Sequence, residues 1–249
     1  QKALAAKVDA LKAEGKARLS FNTGFFSNGD SKIPEMSGLW SATIGTLLVM
    51  FLTLAFSFPI GVMTAIYLEE FAPDNKFTQL IEININNLAA VPSILFGLLG
   101  LAIFINFFGV PRSSALAGGL TLGLMTLPVI IISTRTALRA VPDTIRQAAY
   151  GMGCTEWRTV RDHVLPLSMP GILTGTIIGL AQAMGETAPL LIIGMMAYIP
   201  EAPGGFLEAA TVLPAQIFTW AGMPERAYIE RTAAGILVLL SVLIILNAS

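Results

Sequence analysis

Glu186 is the only carboxylate between Asp162 and Glu201, in a stretch with almost no other charge. A carboxylate in such a place can accept hydrogens from a protonated solute, pair with an arginine, or sit at a surface rim. Burying an ionisable group in a membrane span costs about 2.5–3.5 kcal/mol or more, which favours an inward-facing functional group. Gly185 before it and Pro189 after it predict an interrupted helix, where freed backbone groups border a cavity. Thr187 and, one turn earlier, Gln182 stand beside it. A helix starting at Ser168 would put Glu186 roughly 27 Å along, near the outer side; a deeper start would bring it nearer the middle. The second concentration of charge is arginine: Arg135, Arg139, Arg146, Arg158 and Arg161 crowd between two apolar runs. Other chemistries lack their residues. One cysteine (Cys154) and one histidine (His163) exclude a disulfide framework and a Cys/His metal cluster. No Gly-x-x-x-x-Gly-Lys-Ser/Thr loop is present, so no ATP binding by that route is expected, and no cofactor or metal. An intramembrane enzyme would need a Ser/His pair, an Asp pair or a metal motif. A net charge of −1 gives no general attraction to nucleic acid.

The elements that must hold these residues are membrane spans. Only 12% of the 249 residues are charged, and mean hydropathy is +0.72; soluble domains carry about 25% charged residues. Residues 36–68, 83–111, 113–134 and 164–185 contain no Asp, Glu, Lys or Arg, and each run exceeds the roughly 20 residues a span needs. Spans are expected within 39–68 (kinked at Pro59), 88–108, 114–134, from Ser168 onward, and within 232–249. Small residues Ser93, Gly97, Gly100 and Gly109 suit close packing in the second. Residues 1–18 read as a solvated helix or a binding helix, and 19–35 as an ordered loop at the membrane surface. The expected division is a polar external segment over 1–35 and a transmembrane domain over 36–249. The arginine-rich loop 135–163 is placed in the cytoplasm and 197–231, with four glutamates against two arginines, outside. Counting back puts the lysine-rich N-terminal segment outside, which predicts one more span upstream.

The loop itself is patterned. Pro142 and Asp143 suit a first helical turn. Gly151 and Gly153 supply a stop or bend. Thr155 caps a second short helix with Glu156 in its first turn, ending before Pro166. Ile145, Tyr150, Met152 and Trp157 cannot all pack inward on so small a unit. Such a knob either fills a partner's groove or rests on lipid headgroups.

Gln147-Ala148-Ala149, a glycine at the fitting spacing (Gly153, with Gly151 nearby), and Leu165-Pro166 resemble the EAA loop of ABC-importer permeases. Gln147 stands where that loop has Glu, and His163 where it has Ile. Three further segments resemble the PstA-type permease of the bacterial phosphate importer: Ala65-Ile66-Tyr67-Leu68-Glu69-Glu70-Phe71-Ala72, Ala89-Ala90-Val91-Pro92-Ser93-Ile94-Leu95-Phe96-Gly97-Leu98-Leu99-Gly100, and Gly185-Glu186-Thr187-Ala188-Pro189-Leu190. The resemblance implies an all-α, MetI-like polytopic permease in the bacterial cytoplasmic membrane. It implies a second related permease (PstC-type), two ATPase subunits (PstB-type) and an external phosphate-binding protein (PstS-type) as partners, besides the bilayer. The loop over 135–166 would then be the coupling element, with Gln147, Ala148, Ala149, Tyr150, Gly151, Gly153, Trp157, Leu165 and Pro166 facing or shaping the ATPase contact.

A carboxylate is a poor direct ligand for dianionic phosphate but accepts hydrogens from protonated forms or pairs with a phosphate-holding arginine. Relatives often carry arginine where this chain has Gln182. The candidate path is therefore Glu186, Thr187 and Gln182, with Arg135, Arg139 or the partner permease supplying the cation. Asn84, Asn86 and Asn87 either line a path or cap and bridge helices. The ten methionines read as packing. In the same fold, a permease for another oxyanion or small solute is the alternative.

Overall fold

Two glycines of the third apolar run and one of the first set the architecture. The structure, a computed structural model, describes residues 22–196 and 198–248. Helix α1 runs Trp40–Ile66 and continues as a π-turn over Tyr67–Phe71. Helix α2 is Lys76–Ala89; α3 is Ser93–Gly100, extended by a π-segment Leu101–Phe107; α4 is Ala115–Arg139. Gly119 of α4 lies where a Cβ would come within 2.5 Å of Leu52, and Gly123 within 2.7 Å of Phe56. Gly61 of α1 meets Ile130 in the same way. The pairings 52–119, 56–123 and 61–130 advance together, so α1 and α4 run parallel in close contact, as small-residue faces permit in a membrane. The Thr53 hydroxyl adds a bond to the Gly119 carbonyl at 3.2 Å.

Helix α5, Asp143–Gly151, follows the arginine-rich end of α4, and α6 then spans Glu156–Gly185 with a π-turn at Val160–Val164. Gly171 faces Ala137, Gly175 faces Ser133 and Gly179 faces Val129, so α6 runs antiparallel to α4. A short α7 (Ala188–Ile192), α8 (Leu213–Ala221) and α9 (Ala227–Ala248) complete the helices from α1 onward. An apolar 18-residue stretch of α4 is 67% buried and that of α9 only 6%; α4 is thus the hub and α9 lies outermost. Among the described residues, four helices are long and apolar enough to cross a membrane, and the bent pair α2–α3 makes a fifth crossing if counted as one.

Four expectations need correction. The second crossing does not begin near residue 88: α2 precedes it and meets α3 at 103°. Asn75 nucleates α2, its side-chain oxygen accepting from Phe77 N at 3.0 Å and Thr78 N at 2.9 Å, a strong N-cap. The helix after Thr155 does not end before Pro166, and Ser168 is not a cap. Its hydroxyl donates to Leu165 O within the helix. The π-turn lies just before Pro166 and gives room to carbonyls that face a proline ring. Finally, the last helix starts at Ala227 rather than near 232.

At the Ala115 end of α4, residues 22–38 form an ordered cap. Asp30 is buried, and its Oδ1 accepts from Trp220 Nε1, Ser37 Oγ and Ser31 N, each at 3.0 Å. The Tyr228 hydroxyl donates to Ser31 O at 2.7 Å. Phe25, Trp220 and Tyr228 pack beneath. The helix expected over residues 1–18 lies outside the described residues.

Candidate functional site

Helix α6 stops at Gly185, and the backbone of Glu186 leaves the helical region at φ −78°, ψ 126°. Its N–H reaches back to Ala183 O at 3.2 Å. Thr187 starts the short α7, with Pro189 in its first turn. The interruption expected around Glu186 is therefore present. Extending the α4–α6 register sets Glu186 level with Leu122, five residues from the α4 midpoint, roughly 7 Å toward the Ala115 end. Ala183 and Leu122 share one packed cluster, in keeping with that level. Glu186 thus lies level with the interior of α4, seven residues from its Ala115 end. It is half-buried, and its carboxylate has no hydrogen-bond or ion-pair partner among the described residues. Gln182 is exposed one turn away, on the same side of the helix as the exposed Ile178.

A second interruption meets this one. Helix α3 begins at Ser93 after the Ala90–Pro92 break. Gly97 sits against α7: a Cβ there would lie 2.7 Å from Pro189 Cα and 2.9 Å from Pro189 O. The Ala89–Gly100 and Gly185–Leu190 segments, far apart in sequence, are one packed junction. Asn84, Asn86 and Asn87 lie on exposed positions of α2, and Asn84 Nδ2 donates to its own helix at Leu80 O.

Arg135 and Arg139 are not brought to Glu186. Arg135 is thirteen residues from Leu122, roughly 20 Å along α4. Arg135 Nη2 donates to Glu82 at 2.6 Å and its Nε to Glu69 at 3.1 Å, while Arg139 Nε donates to the other Glu69 oxygen at 2.7 Å. These ions join α1, α2 and α4 at the end opposite the cap.

The loop residues fall into two sets. Gln147, Ala148, Tyr150, Gly151, Gly153, Trp157 and Pro166 are exposed, Met152 with them, while Ala149 is buried and Leu165 half-buried. Ile145 packs inward with Leu138, Val141, Val164 and Ile66. Gly153, at φ +83°, makes the bend, a backbone state that glycine adopts without strain. Thr155 caps the next helix through Arg158 N. Trp157 leans on Phe71 of the α1 π-turn, ring centroids 6.2 Å apart. The residue that sequence reasoning passed over is Arg146. It donates to Glu70 Oε1 at 2.6 Å and Oε2 at 3.2 Å, to Val141 O at 2.8 Å, Leu138 O at 3.1 Å and Asp143 Oδ1 at 3.2 Å. The hydrogen bond to Glu70 holds its guanidinium more firmly protonated than usual. Charges of opposite sign at the ends of two apolar runs were the available signal.

Residues 57–249 match the family described as binding-protein-dependent transport system inner membrane component. The chain is 33% identical over 217 residues to the phosphate transport system permease protein PstA 1 of Mycobacterium tuberculosis, covering 86% of this chain and 70% of that protein. It is 33% identical over 177 residues to the probable ABC transporter permease protein YqgI of Bacillus subtilis, covering 71% of this chain and 59% of that one. To PstA of Mycobacterium leprae it is 36% identical over 156 residues, 63% of this chain and 51% of the relative. The chain thus spans about half to three-quarters of the length of such relatives. Among solved structures, an inward-facing MetNI methionine ABC transporter matches with TM-score 0.61 at 19% identity, over 84% of this chain and 89% of that one. An alginate ABC importer matches with TM-score 0.60 at 16% identity, over 98% and 88%. Those likenesses concern the fold.

Proposed function

Because this chain belongs to the family of inner-membrane components of binding-protein-dependent transport systems, we propose that it is a permease subunit of an ATP-driven importer and that its solute is inorganic phosphate. The observation that carries the solute path is the junction of two helix breaks around an unpaired carboxylate. A carboxylate in lipid is costly, so the open face bearing Gln182 and Glu186 is completed by a second permease or by water. Interrupted helices at membrane depth are tolerated where they line such a cavity. Glu186 accepts a hydrogen from a protonated phosphate, and the Gln182 amide and Thr187 hydroxyl supply neutral donors beside it. The permease names of the mycobacterial relatives support phosphate over other solutes.

The arginine-rich end faces the cytoplasm, as short basic loops do, and α5 with the bend at Gly153 docks in an ATPase subunit. Two such subunits, a related permease and an external phosphate-binding protein complete the importer. The fold's other members carry other cargo, and no arginine lies at Glu186 among the described residues. Another oxyanion or small solute is therefore the second reading.

The test is uptake of labelled phosphate by the reconstituted complex. Glu186→Gln keeps size and one acceptor oxygen, so assembly with the ATPase subunits should persist while uptake falls at least about tenfold, the loss of one charge-assisted hydrogen bond. Glu201→Gln, in the loop beyond α7, should leave uptake near the parent rate. Wild-type uptake by Glu186→Gln across pH 5–8 would remove Glu186 from the path. Transport of sulfate or another solute in preference to phosphate would select the second reading.

A further inference from the structure

The five N–H donors of Arg146 have five acceptors. Two are the oxygens of Glu70 on α1, two are the Leu138 and Val141 carbonyls where α4 ends, and one is Asp143 on α5 itself. One guanidinium therefore joins three elements. The pair is shielded, with the Glu70 side chain 6% and the Arg146 side chain 16% exposed. By contrast, Arg161 pairs among the described residues only with its exposed neighbour Asp162. A planar fork that satisfies a carboxylate with two bonds fixes direction as well as distance. Around it, Ile145 packs with Leu138, Val141, Val164 and Ile66, and Trp157 leans on Phe71. The inner face of α5 is thus welded to the ends of α1 and α4, while Gln147, Ala148 and Tyr150 face outward.

We propose that Glu70 and Arg146 form a rigid strut that makes α1 and α4 move as one body with α5. The inference rests on the reading of α5 as the ATPase-docking helix. A push on the outer face of α5 then reaches α1 through Glu70 and α4 through its terminal carbonyls. The tight α1–α4 contacts at Gly119 and Gly123, and the α4–α6 contacts at Gly171 and Gly175, carry it on to the break at Glu186. Glu70 and Arg146 touch no solute on this path; they are positioning residues. Lysine at 146 would be a point charge with three donors and could not hold the carboxylate and both carbonyls at once.

The experiment uses the full chain assembled with its partner permease and ATPase subunits in proteoliposomes, with the external binding protein loaded with inorganic phosphate. In Glu70→Gln and Arg146→Lys, ATPase subunits should still copurify and ATP hydrolysis should continue, while phosphate moved per ATP falls at least about tenfold, a typical coupling magnitude. Glu70→Asp, which keeps the charge on a shorter stem, should fall between. A second readout needs no phosphate. Spin labels on the native Cys154 and on Tyr67→Cys, exposed at the end of α1, should keep one separation with and without trapped ATP. The same labels in Glu70→Gln should shift or broaden on trapping. An unchanged phosphate-to-ATP ratio in both Glu70→Gln and Arg146→Lys overturns the strut, as does a separation that changes on ATP trapping in the otherwise unaltered chain. If the parent complex moves no phosphate at all, the solute assignment falls, and the label separation alone still decides the strut.

Discussion

The two ends of this molecule treat charge in opposite ways. At the arginine-rich end, Glu69, Glu70 and Glu82 are matched by Arg135, Arg139 and Arg146 within 3.2 Å, and the pairs tie spans together. At the junction of α3, α6 and α7, Glu186 stands level with the interior of α4 with no partner among the described residues. A carboxylate matched inside its own chain has its desolvation offset and serves architecture. One left unmatched in an apolar slab has no such compensation and points to something the chain does not itself contain. On the reading proposed above, the difference separates residues that hold the fold from a residue that meets a partner or solute.

The largest expected effect sharpens that contrast. Glu186→Gln should abolish most uptake with the complex intact, whereas Glu82→Gln, which leaves Arg135 its bond to Glu69, should lower melting temperature more than it lowers transport; equal losses of uptake would erase the distinction. Next comes the junction itself. Gly97→Leu drives a side chain into the Pro189 backbone, and overpacking of this kind costs about 1–3 kcal/mol or more. Yield and thermal stability of the solubilised chain should fall, a result that Glu186→Gln must not share. A smaller and more selective effect is expected at Gly151, where a Cβ would meet nothing within 4 Å. Gly151→Val should change the stability of the isolated chain by under about 1 kcal/mol, valine being no worse than glycine in a helix, yet weaken copurification of the ATPase subunits. Smallest of all is Arg139→Gln. Its side chain is 61% exposed and Glu69 keeps Arg135, so stability should change by under about 1 kcal/mol, measured by thermal unfolding in detergent.

What the sequence made legible was whatever depends on local pattern. The uncharged runs located α1, α4 and α6; Thr155 and Gly153 announced a cap and a bend; Gly185 and Pro189 announced a break. Helix α2 escaped because Asn84, Asn86 and Asn87 break its apolar pattern and mimic a loop, although Asn75 carried a capping signal. The continuity of α6 through Pro166 and Pro170 escaped because a proline was read as a stop, while a π-turn accommodates it. Glu70 and Arg146 are 76 residues apart, and no spacing rule links residues that far. The contact of Gly97 with Pro189 is invisible for the same reason, even though both segments drew attention singly. The placement of Arg135 and Arg139 beside glutamates required knowing that α1, α2 and α4 end together.

Helix α9 carries a different consequence. With 6% of its apolar 18-residue stretch buried, only Tyr228 and Gly235 of this helix are buried by the rest of the chain. Within the chain, then, little constrains the identity of its residues beyond an apolar character. Over evolutionary time such a helix is free to drift, exchanging leucine for isoleucine or valine with little penalty, while the glycines of α4 are locked by backbones a few ångströms away. Whatever restraint on drift α9 does display across related chains would therefore be the imprint of a neighbour in the assembled transporter, and its pattern along the helix would trace where that neighbour lies.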